Sequence, residues 1–128
     1  MTRSPALELF ALSEVPLVAP GDDLAALIAT TLRRGGPVPQ AGDILVVAQK
    51  IVSKAEGRYV DLTTVQPSPR ARELAEETQK DPRVVEVILA ESARVVRSRP
   101  GLLICQHRLG FIMANAGVDR SNLGPQDG

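Results

Sequence analysis

Lys50 and Lys54 are two of only three lysines in a chain of 128 residues; the remaining twelve of its fifteen basic side chains are arginines. Both fall in or beside the run Val52-Ser53-Lys54-Ala55-Glu56-Gly57, which sets a hydroxyl, an ammonium and a carboxylate close together. An ammonium is a compact point charge that suits a phosphate oxygen. Two exposed lysines on a solvated strand end would look the same, and this stretch alone leaves both readings open. A second polar cluster is Asn115-Ala116-Gly117-Val118-Asp119-Arg120-Ser121-Asn122. Asn, Asp and Ser place hard oxygen ligands on short stems, as a divalent cation with phosphates requires. A plain loop held by Asx turns uses the same residue types, and spacing alone favours the loop. The single cysteine, Cys105, sits in the apolar run Leu102-Leu103-Ile104-Cys105 and reads as a small core residue. The single histidine, His107, falls at a hairpin corner and reads as an exposed polar side chain. With no second histidine and no cysteine pair, a His- or Cys-based zinc site has no support.

The elements that must position these residues follow from periodicity and punctuation. Leu7-Glu8-Leu9-Phe10-Ala11-Leu12 alternates weakly and suggests a first strand. The turn Ser13-Glu14-Val15-Pro16-Leu17 leads away from it. Asp22 and Asp23 open a helix whose Leu24, Leu27, Ile28 and Leu32 recur at helical spacing, and Arg33-Arg34-Gly35-Gly36 closes it. Ile44-Leu45-Val46-Val47 has no polar break and predicts a strand buried on both faces, running into a polar loop over residues 52–57. Arg58-Tyr59-Val60-Asp61-Leu62 suggests a short further strand. Ser68-Pro69 and Asp81-Pro82 are start signals for a second and a third helix. The spacing allows an i,i+4 pair between Glu76 and Lys80 on the former, and Val84, Val85, Ile88 and Leu89 stripe the latter. Strands are expected over residues 93–97, 102–106 and 111–114. Pro100-Gly101 turns the first into the second, and His107-Arg108-Leu109-Gly110 closes a hairpin.

Composition narrows the classes of function. The length suits one domain of ordinary size with one core. Hydrophobic residues make up 44% and aromatics 2%, so Val, Leu, Ile and Ala must fill that core. Fifteen basic and fifteen acidic residues cancel, which offers no electrostatic footprint for a nucleic acid or an anionic membrane. No stretch approaches the roughly 20 apolar residues of a membrane span, and the start Met-Thr-Arg-Ser-Pro lacks a signal-peptide core. One cysteine permits no internal disulfide, which fits the cytoplasm.

Three segments, in order, resemble those of one family. They are Gly21-Asp22-Asp23-Leu24, then Gly42-Asp43-Ile44-Leu45-Val46-Val47 running into Val52-Ser53-Lys54-Ala55-Glu56-Gly57, then His107-Arg108-Leu109-Gly110-Phe111 with residues 115–122. The family is the coenzyme F-420-0:L-glutamate ligases, or gamma-glutamyl ligases, and the resemblance covers residues 7–122. It implies an α+β fold, a mixed β-sheet with about three helices packed on it. Residues 1–128 would form the N-terminal portion of a larger fold, with flexible ends at 1–5 and 123–128.

The resemblance further implies a GTP-dependent ligase that adds L-glutamate to the deazaflavin coenzyme precursor through an acyl phosphate, with magnesium or manganese. Asp119 matches the family's metal-binding aspartate, and Asn122 matches a nucleotide contact. Lys54 matches the lysine of Ser-Lys-Ala-Glu-Gly that touches GTP, and Gln49 and Lys50 fall where the nucleotide is contacted just before it. Glu14, Val15, Pro16 and Leu17 match a turn against which GTP lies, although Glu14 stands where the family has glycine. No residue is singled out as a catalytic acid or base. The implied partners are GTP, L-glutamate and the precursor, in a cytoplasmic homodimer, with no nucleic acid and no membrane. The second Asp and the Thr that complete the family's metal site are not in these residues. The chain therefore reads as part of a longer or assembled enzyme, inactive by itself. The alternative is a non-catalytic nucleotide-binding or assembly module that keeps the family scaffold.

Overall fold

The protein is described as a computed structural model covering residues 6–120. The expected flexible ends, at 1–5 and 123–128, lie outside the described residues. The fold is α+β, with four α-helices and a three-stranded sheet among the described residues. The chain divides into two compact units, Met1–Tyr59 and Val60–Gly128.

Val60–Gly128 holds the core. A 3₁₀ turn at Leu62–Thr64 is started by Asp61, whose side chain accepts from the Thr63 N–H; the strand expected at residues 58–62 does not form. Helix α3 (Pro69–Thr78) begins as expected, with the Ser68 side chain accepting from the Ala71 N–H and Pro69 in the first turn. It ends at Gln79, whose φ of 56° is left-handed, and the Lys80 N–H closes the end onto the Ala75 carbonyl. That stop puts Lys80 outside the helix, so the pair expected with Glu76 is not formed. Helix α4 (Pro82–Glu91) is capped by Asp81. Hydrogen bonds from the Arg83 side chain and N–H hold the Asp81 pKa down at about 2.

Strands β1 (Ser92–Arg99), β2 (Leu102–His107) and β3 (Ile112–Ala114) form an antiparallel meander in the order β1-β2-β3. Cys105 pairs with Val95 on one side and Met113 on the other. Two register shifts interrupt β1, between Ser92 and Arg94 and between Val95 and Arg97. The strand period turns Leu103 and Cys105 to one face, and both are fully buried in one cluster with Leu74 of α3 and Val85 and Ile88 of α4. Cys105 is thus a core residue, as its surroundings in the sequence indicated. Val84 and Leu89 pack partly buried against the cluster, so the whole expected stripe of α4 is used. The hairpin closes where Gly110, at φ 97°, donates to the His107 carbonyl. His107 is not the exposed side chain expected. Its side chain is 18% exposed, its Nε2 lies 3.4 Å from Glu91 Oε2, and its ring stands 5.9 Å from that of Phe111. The Leu109 N–H donates to Nδ1, which leaves Nε2 to carry the proton of the neutral ring.

Met1–Tyr59 is built differently. Helix α1 (Leu24–Arg33) is capped by Asp23, which accepts from the Ala26 N–H. Its leucine and isoleucine stripe is only half-covered, and Thr31 is its one buried residue. Residues 7–12 are not a strand; Leu7 is 85% and Leu9 86% exposed. Nor do residues 44–47 form the buried strand expected, for Ile44 and Val46 are each 87% exposed. An apolar run becomes a strand only beside another strand, and the unit has no sheet among its described residues. The segment after it, expected to be a loop, is helix α2 (Gln49–Ala55). Gln, Lys and Ala are good helix formers, and no glycine interrupts before Gly57.

The Glu86 carboxylate joins the starts of the two packed helices by accepting from the Ser68 N–H at 2.7 Å. Hydrogen bonds from the Ser68 side chain and backbone lower the Glu86 pKa below its ordinary 4.5. The folded form therefore holds this carboxylate's proton less tightly than the unfolded chain does. Its contribution is fully present above pH 4.5 and is lost as the pH falls through the lowered value. Glu86→Ala is expected to destabilise the protein by about 1 kcal/mol at pH 7. The loss should shrink in denaturant titrations run progressively below pH 4; an equal loss at pH 7 and pH 3 would assign the effect to packing.

Candidate functional site

Helix α2 is what brings the expected nucleotide contacts together. Gln49, Lys50 and Lys54 all lie on it, and Lys50 and Lys54 are four residues apart. That spacing sets the two side chains on one helix face, with Cβ atoms about 5–6 Å apart. Lys54 stands in the last turn, where the helix dipole favours a cation. Among the described residues its ammonium makes no ion pair.

The end of the helix explains the Ser-Lys-Ala-Glu-Gly motif in backbone terms. The Arg58 N–H bonds the Ser53 carbonyl at 2.9 Å and the Gly57 N–H bonds the Lys54 carbonyl at 2.9 Å. Gly57 takes φ 63°. This is a Schellman cap, which places glycine one position past the helix because a Cβ is penalised there. The same helix end accepts the Gly21 N–H on the Ala55 carbonyl at 2.8 Å. Gly21 belongs to the turn in which Asp22 accepts from the Ala19 N–H, so the loop before α1 is pinned to the end that carries Lys54.

Glu14, Val15, Pro16 and Leu17 form an exposed turn of the same unit. Glu14 sits at φ 62°, the conformation that glycine adopts without strain. Glu14 and Pro16 line a shallow groove of about 440 Å³ with Asp22, Asp23, Thr31 and Arg34. Three carboxylates against one guanidinium make it a poor seat for a bare triphosphate. Lys54 does not line it.

Asp119 lies in the other unit, exposed, just after the 3₁₀ turn Asn115–Gly117. That turn was not legible as an element. Its three residues take φ 54°, 50° and 79°, a left-handed turn, and Ala116 is buried in the core cluster. The Val118 N–H closes it onto the Asn115 carbonyl. Among the described residues Asn115 Oδ1, from the first residue of the polar cluster, is buried with no hydrogen-bond partner. Among the described residues no three His, Cys, Asp or Glu side chains could hold a metal together. Asp119 offers a single carboxylate, and these residues do not make a metal site of their own. Asn122 lies outside the described residues.

The comparison with known proteins is decisive on descent. Residues 13–127 match the model of the F420-0:Gamma-glutamyl ligase family. The chain belongs to that family. It is similar to the coenzyme F420:L-glutamate ligase of Methanopyrus kandleri, at 51% identity over 114 residues, 87% of this chain and 43% of that one. Similarity to the protein of the same name from Methanothermobacter thermautotrophicus is 45% over 117 residues, covering 91% of this chain and 46% of the relative. For the Archaeoglobus fulgidus protein of that name it is 39% over 117 residues, covering 91% and 45%. The chain spans about half the length of the curated relatives it matches. No helix among its described residues is long and apolar enough to cross a membrane.

The left-handed backbone at Glu14 gives a direct test of the turn. Glu14→Gly is expected to stabilise the protein by about 0.5–1 kcal/mol in equilibrium denaturation, because it relieves the Cβ strain. A loss of stability would mean that the glutamate side chain holds the turn.

Proposed function

We propose that this chain is the nucleotide-contacting portion of a GTP-dependent ligase that adds L-glutamate to the deazaflavin coenzyme F420 precursor. The observation that carries the reading is the 45–51% identity, over most of the chain, to relatives named coenzyme F420:L-glutamate ligase. In the proposed reaction the γ-phosphoryl group of GTP passes to the precursor's terminal carboxylate, and GDP leaves. The amine of glutamate then attacks the acyl carbon, phosphate departs, and the amine gives up a proton as the amide forms. Phosphoryl transfer depends chiefly on positioning and on neutralising the charge of the phosphates. Lys54 and Lys50, one turn apart on α2, are the groups of this chain suited to that work, with Gln49 and the turn at residues 14–17 against the nucleotide. Asn122 is a further nucleotide contact in the proposal.

Magnesium or manganese belongs to the proposal as well, supplying positive charge beside the phosphates when bound. Asp119 is its one ligand from these residues, and the others come from polypeptide equivalent to the half of the relatives that this chain does not match. The complete enzyme is proposed to be a cytoplasmic homodimer, and the 128-residue chain alone to be inactive.

Supplied with that other half, GTP, metal, L-glutamate and the precursor, the chain should yield GDP, phosphate and glutamylated product in equal amounts. Absence of GDP with active precursor would overturn the assignment. In the same complex Lys54→Ala is expected to weaken GTP binding about tenfold, or about 1.4 kcal/mol by calorimetry. Unchanged affinity would remove Lys54 from the site.

A further inference from the structure

Met1–Tyr59 contains no buried apolar residue among those described; the buried apolar side chains all belong to Val60–Gly128. Hydrophobic burial is the main term that offsets chain entropy, so a unit of this size without it is incomplete. The gap is sharpest at residues 44–47. Ile44 and Val46 are 87% exposed and Leu45 56%. Among the described residues no backbone hydrogen bond engages these four. Their composition is that of a strand at the centre of a sheet, β-branched and unbroken. The pleat would send Ile44 and Val46 to one face and Leu45 and Val47 to the other. The run lies just ahead of Gln49, where α2 begins, so whatever grips it also sets the position of Lys50 and Lys54.

We infer that residues 44–47 are a strand-docking edge, and that its occupant is an extended apolar strand from polypeptide equivalent to the half of the family's length that this chain does not match, whether joined to it or separate. The relatives that this chain matches are about twice as long as it is, so a partner of the required size is part of the family's own sequence. A second copy of this chain is a poorer occupant. Pairing residues 44–47 with themselves gives a two-stranded ribbon, marginal in water and open at both edges. The docked strand bonds the N–H and C=O groups of the run and covers Ile44 and Val46. Docking depends on family membership and on this surface, and is independent of whether GTP is consumed.

Co-expression of the 128-residue chain with the unmatched portion of the Methanopyrus kandleri relative tests it. The expected result is a one-to-one complex by light scattering in which the amides of residues 44–47 exchange at least about a hundredfold more slowly than in the chain alone. Ile44→Asp combined with Val46→Asp should abolish the complex while leaving the protection of β2 unchanged, which shows that the core still folds. Val46→Pro keeps an apolar surface but removes one ladder donor, and should weaken the complex at least tenfold. The inference is overturned by failure to associate, or by a complex in which residues 44–47 exchange as freely as before. It is equally overturned if these amides are protected in the chain alone or only in its homodimer. A complex that forms with protection but makes no GDP leaves the docking intact and strikes the proposed reaction alone.

Discussion

The contact between the inward face of β2 and the two helices preceding the sheet is the interaction on which Val60–Gly128 depends. Leu103 and Cys105 reach Leu74, Val85 and Ile88 in one fully buried cluster. Everything around it closes back on that contact. The buried Thr78 hydroxyl donates to the Leu74 carbonyl, the Gly101 N–H bonds the Thr78 carbonyl, and the Arg108 N–H bonds that of Glu91. The first two satisfy the hydroxyl and the carbonyl of Thr78, which packing would otherwise strand away from water. Ala116 joins the same cluster, so the left-handed turn before Asp119 is anchored by the core and not by its own hydrogen bonds alone.

What the sequence disclosed follows this division. In Val60–Gly128, local signals and tertiary packing agree. Ser68-Pro69 and Asp81-Pro82 start helices where capping chemistry says they should, and Pro100-Gly101 and Gly110 mark the turns. In Met1–Tyr59 the hydrophobic pattern of residues 7–12 and 44–47 specifies strands, but no sheet forms there among the described residues. Strand formation is a non-local bargain, and an apolar run without a partner stays extended and wet. Helix α1 needs no such partner, because its cap and its hydrogen bonds are internal.

The candidate site was legible in its residue types and less so in its geometry. Lys54 drew notice as a rare lysine, but its motif reads as loop because Ser, Glu and Gly suggest punctuation. Read as a helix ending, the same letters are in order, with glycine past the last turn and the lysine near the negative end of the dipole. Glu14 drew notice as a departure from the family pattern, and its positive φ supplies the backbone reason for glycine there. The turn at Asn115–Gly117 left no signal beyond its glycine, since left-handed backbone at Ala116 is a product of tertiary packing.

The outer strand β1 carries one more consequence. Among the described residues no strand pairs with its outer side, an arrangement that would ordinarily invite a foreign strand. Two breaks in its register spoil the regular spacing that a newcomer would have to match, and the strand carries the exposed cations Arg97 and Arg99. This margin of the sheet is thus insulated against sticking to its own kind.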